Sequence, residues 1–184
     1  MTVGLLVAAY LAACNVARTR LGVPEDASGR ARPGALAGGA ALAFGVTAAL
    51  AGFSGPLLRA LEVTPETFRI GAGFVAAIAA AIVLAVPRPA AEPIPRRWRA
   101  AVWPVAFPLL AGPEVLALAV ATGSQEGVPA TLAAAGIALA VLIALGLLPR
   151  RPLPDRALVW ASRLLGAVLL LVGIWLAVDG IRDV

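Results

Sequence analysis

Long apolar runs separated by short polar segments form the main pattern of the chain. Each run contains at most one charged residue, and the six runs cover residues 2–17, 34–53, 70–86, 100–122, 130–148 and 157–178. A helix of about 20 apolar residues crosses the hydrocarbon core of a bilayer. The pattern therefore predicts an all-α integral membrane protein with six transmembrane helices, spans one to six in chain order. The mixed segment 54–68 is too short to cross, and we expect it to lie as a short helix on the membrane surface.

The fourth apolar run is the least regular of the six. It contains three prolines, a glycine and a carboxylate, at Pro104, Pro108, Pro113, Gly112 and Glu114. A proline inside a helix removes a backbone hydrogen bond, and the freed carbonyl must then be buried in protein or face a polar cavity. Broken helices of this kind form substrate sites in many secondary transporters. The alternative is a kinked packing helix, because proline is fairly common in membrane spans.

Composition narrows the possible classes of protein. With 61% hydrophobic residues, 14% charged residues and a mean hydropathy of +0.93, the chain is far more apolar than a soluble domain, in which about 25% of residues are charged. It has no histidine and a single cysteine, Cys14. We therefore expect no metal, haem, disulfide or other cofactor site. No nucleophile–base pair is recognisable, so an enzyme is the least favoured class.

The arginines give an orientation. All 15 basic residues are arginine, and they flank the apolar runs, so the charge of +5 indicates membrane topology and not nucleic-acid binding. Eleven arginines lie in the links after spans one, three and five, against two in the links after spans two and four. Cytoplasmic loops carry the excess of basic residues. We therefore expect both termini outside the cytoplasm.

Three spans per half allow an inverted repeat within one transmembrane domain, 1–184. The predicted repeats are residues 1–87 and 100–180, joined by the linker 88–99. Residues 68–83 resemble residues 162–177, which aligns Arg69 with Arg163, although chance similarity between Ala-rich and Leu-rich segments is an alternative. Asn15 and Gly112 lie at similar depths, about 20 Å in from opposite sides at 1.5 Å per residue. The two breaks should therefore overlap near the midplane.

Several local motifs resemble those of a known family. They are Asn15 in span one, Phe68-Arg69-Ile70 followed by Gly71 and Gly73, the FPLLAGPE of span four, and RLLGAVLLLVGIWLAVDGI near the end. In these motifs the chain resembles the MarC family of six-span bacterial membrane proteins, also classed as neutral amino acid transporters. The resemblance implies a 3+3 inverted repeat in the bacterial inner membrane and ion-coupled movement of glycine- or alanine-like solutes. Two positions differ, because Asn15-Val16 replaces the family's Asn-Pro and Gly112-Pro113-Glu114 replaces its Gly-Pro-Gly.

The breaks supply the candidate site. We expect the substrate to contact Asn15, Gly112, Pro113 and Glu114, and we expect Glu114 to carry a coupling proton, because a carboxylate inside a span costs about 2.5–3.5 kcal/mol. The alternatives for Glu114 are a salt bridge to Arg69 or Arg163, or a position near the outer surface. For Asn15 the alternative is a hydrogen bond between helices. Structural or gating roles are predicted for Arg69, Gly73, Pro108, Arg163 and Gly166.

Three functions fit these features. The first is a secondary transporter of small neutral amino acids with alternating access around the two breaks. The second is an exporter of the LysE type, because Glu114 suits a cationic solute. The third is a membrane scaffold subunit that transports nothing. The expected partners are the lipid bilayer, a small polar solute such as an amino acid, and a possible second copy of the chain, with no nucleic acid.

Overall fold

Helices make up almost all of the described chain. The structure is a computed structural model and describes residues 2–22, 33–86, 101–147 and 155–184. No strand occurs in these ranges, which confirms the predicted all-helical class. The elements are α1 (Val3–Cys14), α2 (Val16–Gly22), α3 (Pro33–Ala60), α4 (Pro65–Ala85), a π-helical segment (Ala101–Leu110), α5 (Pro113–Gln125), α6 (Val128–Leu147) and α7 (Asp155–Asp183).

Four of the described helices, α3, α4, α6 and α7, are long and apolar enough to cross a membrane. They present large apolar side chains outward, and Phe53, Leu164 and Leu171 are each about two-thirds exposed. The first and fourth predicted spans are instead divided, into α1 with α2 and into the π-helical segment with α5. Six membrane crossings and a 3+3 repeat stay predictions. The predicted linker 88–99 lies outside the described residues.

The predicted surface helix over residues 54–68 is wrong. Helix α3 continues to Ala60 and α4 begins at Pro65, so only a turn separates them. Leu58 is buried, and this burial gives the end of α3 a packing reason to stay helical. Thr64 then starts α4 by accepting a hydrogen bond from the Thr67 amide at 3.2 Å, with proline at the first helical position.

Helices α4 and α7 form the most extensive contact in the described chain. Their backbones meet at two glycines: a methyl group on Gly73 would lie 2.5 Å from the Gly173 carbonyl oxygen, and one on Gly173 would lie 2.7 Å from the Gly73 carbonyl oxygen. Gly166 makes a looser contact with Val83 of α4, at 3.0 Å by the same measure. Small residues permit this close approach of membrane helices. Gly73 and Gly166 thus lie in the α4–α7 interface.

The divided segments pack among the long helices. Helix α1 lies against α6 and α7, while α5 lies against α3 and α4, and α3 also contacts the π-helical segment. Alanine is the commonest residue in the core between them, and Leu6, Tyr10, Leu110 and Leu142 are among its larger members. Because alanine and glycine occupy little space, the backbones of these helices come close together.

Candidate functional site

The first interruption is a single residue, Asn15. Helix α1 ends at Cys14, and Asn15 adopts the left-handed conformation with φ 38° and ψ 74°, which asparagine tolerates better than most residues. Its side-chain oxygen accepts a hydrogen bond from the Arg18 backbone amide at 3.0 Å, so Asn15 caps the start of α2. Its side-chain nitrogen donates to the Ser162 carbonyl of α7 at 3.1 Å. Asn15 thus both divides span one and ties it to α7.

The backbone groups released by this interruption find partners within the protein. In a regular helix the Arg18 amide would donate to the Cys14 carbonyl, but here it donates to Asn15. The Thr19 hydroxyl takes over and donates to the Cys14 carbonyl at 2.9 Å, while the Thr19 amide donates to the Asn15 carbonyl at 2.9 Å. Asn15 is 3% exposed. The interhelical role that was the alternative for Asn15 is therefore present.

The second interruption lies between the π-helical segment and α5. Gly112 precedes α5 and offers no side-chain cap; its carbonyl accepts the Val115 amide at 3.0 Å, and Pro113 takes the first helical position. The Glu114 side chain folds back over this end of the helix. Its carboxylate is so close to Gly112 that a methyl group there would lie 2.5 Å from Oε1 and 2.7 Å from Oε2. A carboxylate is favourable at a helix N-terminus. Glu114 therefore occupies the start of α5, and Gly112 leaves the space for it.

The two interruptions meet in the structure. Helix α2 contacts the π-helical segment and α1 contacts α5. The Glu114 carboxylate lies within electrostatic range of Cys14, the last residue of α1, and of Arg18, in the first turn of α2. The ion pairs between described residues all involve Arg69, so Arg18 and Glu114 are near each other without a direct salt bridge. We call this region the junction, defined by Cys14, Asn15, Arg18, Gly112 and Glu114.

Arg69 belongs to a separate cluster at the far end of α5. Its guanidinium Nη1 contacts the Asp179 carboxylate at 2.8 Å and the Gln125 side-chain oxygen at 3.1 Å. Nη2 donates to the Asp179 carbonyl at 3.0 Å and to the Asp183 carboxylate. Arg69 thus joins α4 to α5 and α7. A salt bridge from Glu114 to Arg69, considered above as an alternative, is absent between these two described residues.

Arg163 lies near the start of α7, beside the junction. Its guanidinium carbon is 5.6 Å from the centre of the Trp160 ring, a cation–π contact. Within the described residues it makes no ion pair with Glu114, and its Nε has no hydrogen-bond partner there. The adjacent Ser162 is fully buried and its hydroxyl also has no partner among the described residues. Pro108 lies in the π-helical segment and is exposed.

A cluster of three buried hydroxyls, which the sequence patterns did not single out, joins three helices. Thr122 of α5 lies 3.1 Å from the Tyr10 hydroxyl of α1 and accepts the Thr131 hydroxyl of α6 at 3.1 Å. Thr122 also donates to the Leu118 carbonyl. Because each is a polar side chain in an apolar run, the sequence carries a signal for all three. The sequence does not indicate that these three side chains contact one another.

A family model described as MarC family integral membrane protein matches residues 39–184. The chain belongs to the MarC family. This membership confirms the predicted family and makes the chain a multi-pass integral membrane protein. No curated protein and no solved structure matched the chain.

The MarC match includes one interruption and not the other. Gly112, Pro113 and Glu114 lie inside the matched residues, whereas Asn15 lies before them. Sequence patterns did not single out Arg18, which they counted only among the arginines of a predicted cytoplasmic link. An asparagine three residues before it was the available signal for a capped second helix. In the described ranges, no group of three or more acidic or cysteine side chains is placed to hold a metal ion.

Proposed function

We propose that this MarC-family protein is a secondary transporter of small neutral amino acids such as glycine and alanine, driven by a proton or ion gradient. The substrate binds at the junction, where Gly112, Pro113 and Glu114 contact it and Asn15 shapes the site by capping α2. Glu114 is the group that couples transport to the gradient, because it is the acidic side chain at the junction. Transport of this kind changes no covalent bond, so the protein is not an enzyme.

The observation that carries this proposal is the meeting of two helix interruptions inside a bundle of long helices. Asn15 and Gly112 are both buried, and the segments that they divide pack against each other. Irregular backbone at membrane depth is tolerated where it is enclosed by protein or lines a polar cavity. Opposed half-helices near the middle of the membrane are a common site for solutes in secondary transporters.

The packing order supports a 3+3 inverted repeat in six spans. Helix α1 contacts α6 as α5 contacts α3, and α1 contacts α7 as α5 contacts α4. The remaining close pair, α4 with α7, joins the third span of each half. A two-fold axis that exchanges the first three spans with the last three maps these contacts onto one another. Alternating access then follows from rocking of one repeat against the other.

Uptake into proteoliposomes tests this function. Purified protein is reconstituted and offered radiolabelled glycine, alanine, serine, lysine and arginine, with and without an imposed proton or sodium gradient. We expect saturable uptake of glycine and alanine above empty liposomes, accelerated by one of the gradients. Glu114→Gln should abolish the acceleration, whereas Glu62→Gln, in the exposed turn after α3, should retain it.

Other outcomes decide between the remaining functions. Transport restricted to lysine and arginine would support an exporter of the LysE type. Folded, reconstituted protein that moves none of the five amino acids would favour a scaffold subunit and contradict the transporter. Gradient-driven uptake that survives Glu114→Gln unchanged would leave transport standing and remove the coupling role of Glu114.

A further inference from the structure

The junction carries opposite charges from two different helices. Arg18 lies on α2 and Glu114 in the first turn of α5, and α2 packs against the π-helical segment that leads into α5. They form no direct ion pair, since the ion pairs between described residues are those of Arg69. Charges inside a membrane protein are costly unless they are paired. Because Arg18 and Glu114 do not pair with each other, a ligand that carries both a negative and a positive group could pair with both.

We propose that Arg18 binds the carboxylate and Glu114 the ammonium group of one amino acid, so that the junction recognises the amino acid as a zwitterion. This inference rests on the proposed function and names the groups that select its substrate. A purely cationic solute would leave Arg18 without a partner, and an anion would leave Glu114 without one. The paired charges therefore favour an amino acid over an amine or a carboxylic acid that carries only one of the two groups.

Arg18 is suited to the carboxylate. Its backbone is fixed by the hydrogen bond from its amide to Asn15 at 3.0 Å, which anchors the first turn of α2. Its Nε is buried and has no hydrogen-bond partner among the described residues. Guanidinium donors are arranged as a fork that matches a carboxylate. Arg18 therefore has a donor available at the junction.

Ser162 adds a second available donor beside Arg18. Its carbonyl accepts the Asn15 side chain at 3.1 Å, which fixes this residue at the edge of the junction. It is fully buried, with a hydroxyl that lacks a partner within the described ranges. A buried polar group without a partner is destabilising, and a bound carboxylate would supply the missing acceptor.

Glu114 is suited to the ammonium group. The start of α5 holds its carboxylate close to Gly112, so the side chain is oriented before any ligand arrives. A carboxylate has about four lone-pair sites, which leaves acceptors for an ammonium group.

Three ligands that differ by one group test this assignment. Alanine carries both charged groups, ethylamine lacks the carboxylate and propionate lacks the amine. Binding to the purified protein in detergent is measured by isothermal titration calorimetry. We expect alanine to bind at least about tenfold more tightly than either analogue, because a charge-assisted hydrogen bond is worth at least that factor.

Two variants should show which residue binds the carboxylate and which binds the ammonium group. Arg18→Gln should weaken alanine by about tenfold or more and leave ethylamine unchanged, whereas Glu114→Gln should weaken alanine and ethylamine and leave propionate unchanged. Arg59→Gln and Glu62→Gln, at the exposed end of α3 and the turn after it, should match the parent protein. If Arg18→Gln does not fold, Arg18→Lys and the three ligands on the parent protein still decide the question.

The possible results separate this inference from transport itself. Alanine binding that is no tighter than ethylamine binding, no binding of any of the three, or affinities unchanged in both variants would overturn the inference. Saturable alanine uptake together with unchanged variants would leave transport standing and the assignment wrong. The expected binding pattern without any uptake would support the assignment and contradict transport.

Discussion

At the scale of single residues, Asn15 replaces backbone hydrogen bonds with side-chain ones. Its side-chain oxygen accepts a hydrogen bond from the Arg18 backbone N–H, and its side-chain nitrogen donates one to the Ser162 carbonyl. The Thr19 hydroxyl donates to the Cys14 carbonyl. The interruption therefore leaves few unpaired groups, which is what the low-dielectric surroundings demand. The local sequence predicts a helix break at Asn15, but only the packing of the helices shows its hydrogen bond to α7.

Substitution of Asn15 should separate its two contributions. Asn15→Ala loses both side-chain hydrogen bonds, each worth about 1 kcal/mol, and places alanine in the left-handed conformation, which costs about 1–2 kcal/mol. Asn15→Gly loses only the hydrogen bonds. We expect the free energy of unfolding to fall in the order parent, Asn15→Gly, Asn15→Ala, measured by denaturant titration in micelles with tryptophan fluorescence. Asn15→Ala as stable as the parent would mean that the side chain does not hold the interruption.

Arg69 is the second residue whose role depends on many contacts at once. Arg69→Gln should destabilise the protein by about 2–3 kcal/mol, less than a fully buried pair, because Asp179 and Asp183 are 32% and 54% exposed. Arg59→Gln, on the exposed end of α3, is the matched control. In a double-mutant cycle, Asp179→Asn should cost less in the Arg69→Gln background than in the parent. Additive effects would contradict a direct pairing.

At the scale of elements, α4 and α7 are held by close backbone contact. Gly73 and Gly173 face each other, and each would have its added methyl within 3 Å of the other's carbonyl oxygen. Water supplies no driving force between helices in lipid, so close packing of small residues has to provide it. The sequence marked Gly73 as a packing residue. Its contact with Gly173 is evident only from the structure.

A pair of glycines on α4 gives a matched test. Gly73→Ala should push α4 from α7 and destabilise the protein by about 1–3 kcal/mol, the usual range for overpacking. Gly71→Ala should leave stability unchanged or raise it slightly, because nothing lies within 4 Å of its added methyl and alanine favours helix. Unfolding in micelles measures both. Equal effects of the two substitutions would contradict a specific contact at Gly73.

At the scale of the whole molecule, the arrangement combines continuous outer helices with interrupted inner ones. The long helices α3, α4, α6 and α7 carry exposed apolar side chains suited to lipid, whereas the interruptions at Asn15 and Gly112 are buried. The outer helices then form a frame, and the interrupted segments supply polar groups within it. This division is the arrangement expected of the proposed transporter.

The orientation of this frame can be tested by labelling. In a Cys14→Ala background, Leu61→Cys in the turn between α3 and α4 and Ala90→Cys in the next link are treated in intact bacterial cells with a maleimide that cannot cross the membrane. From the arginine distribution, we expect Leu61→Cys to react from outside and Ala90→Cys only after permeabilisation. The reverse pattern would invert the topology, and equal labelling would mean that α4 does not cross.

The sequence by itself determined the helical class, the membrane setting, the family and the positions of both interruptions. Each of these depends on local composition: the length of apolar runs, and asparagine, proline and glycine where a helix loses its regular bonding. It failed over residues 54–68, where α3 continues to Ala60 with Leu58 buried, because burial in so short a mixed segment depends on the packing of distant helices. The tertiary structure alone decided that Arg69 pairs with Asp179 and that Arg18 lies near Glu114, since electrostatic partners distant in sequence are set by how the helices pack.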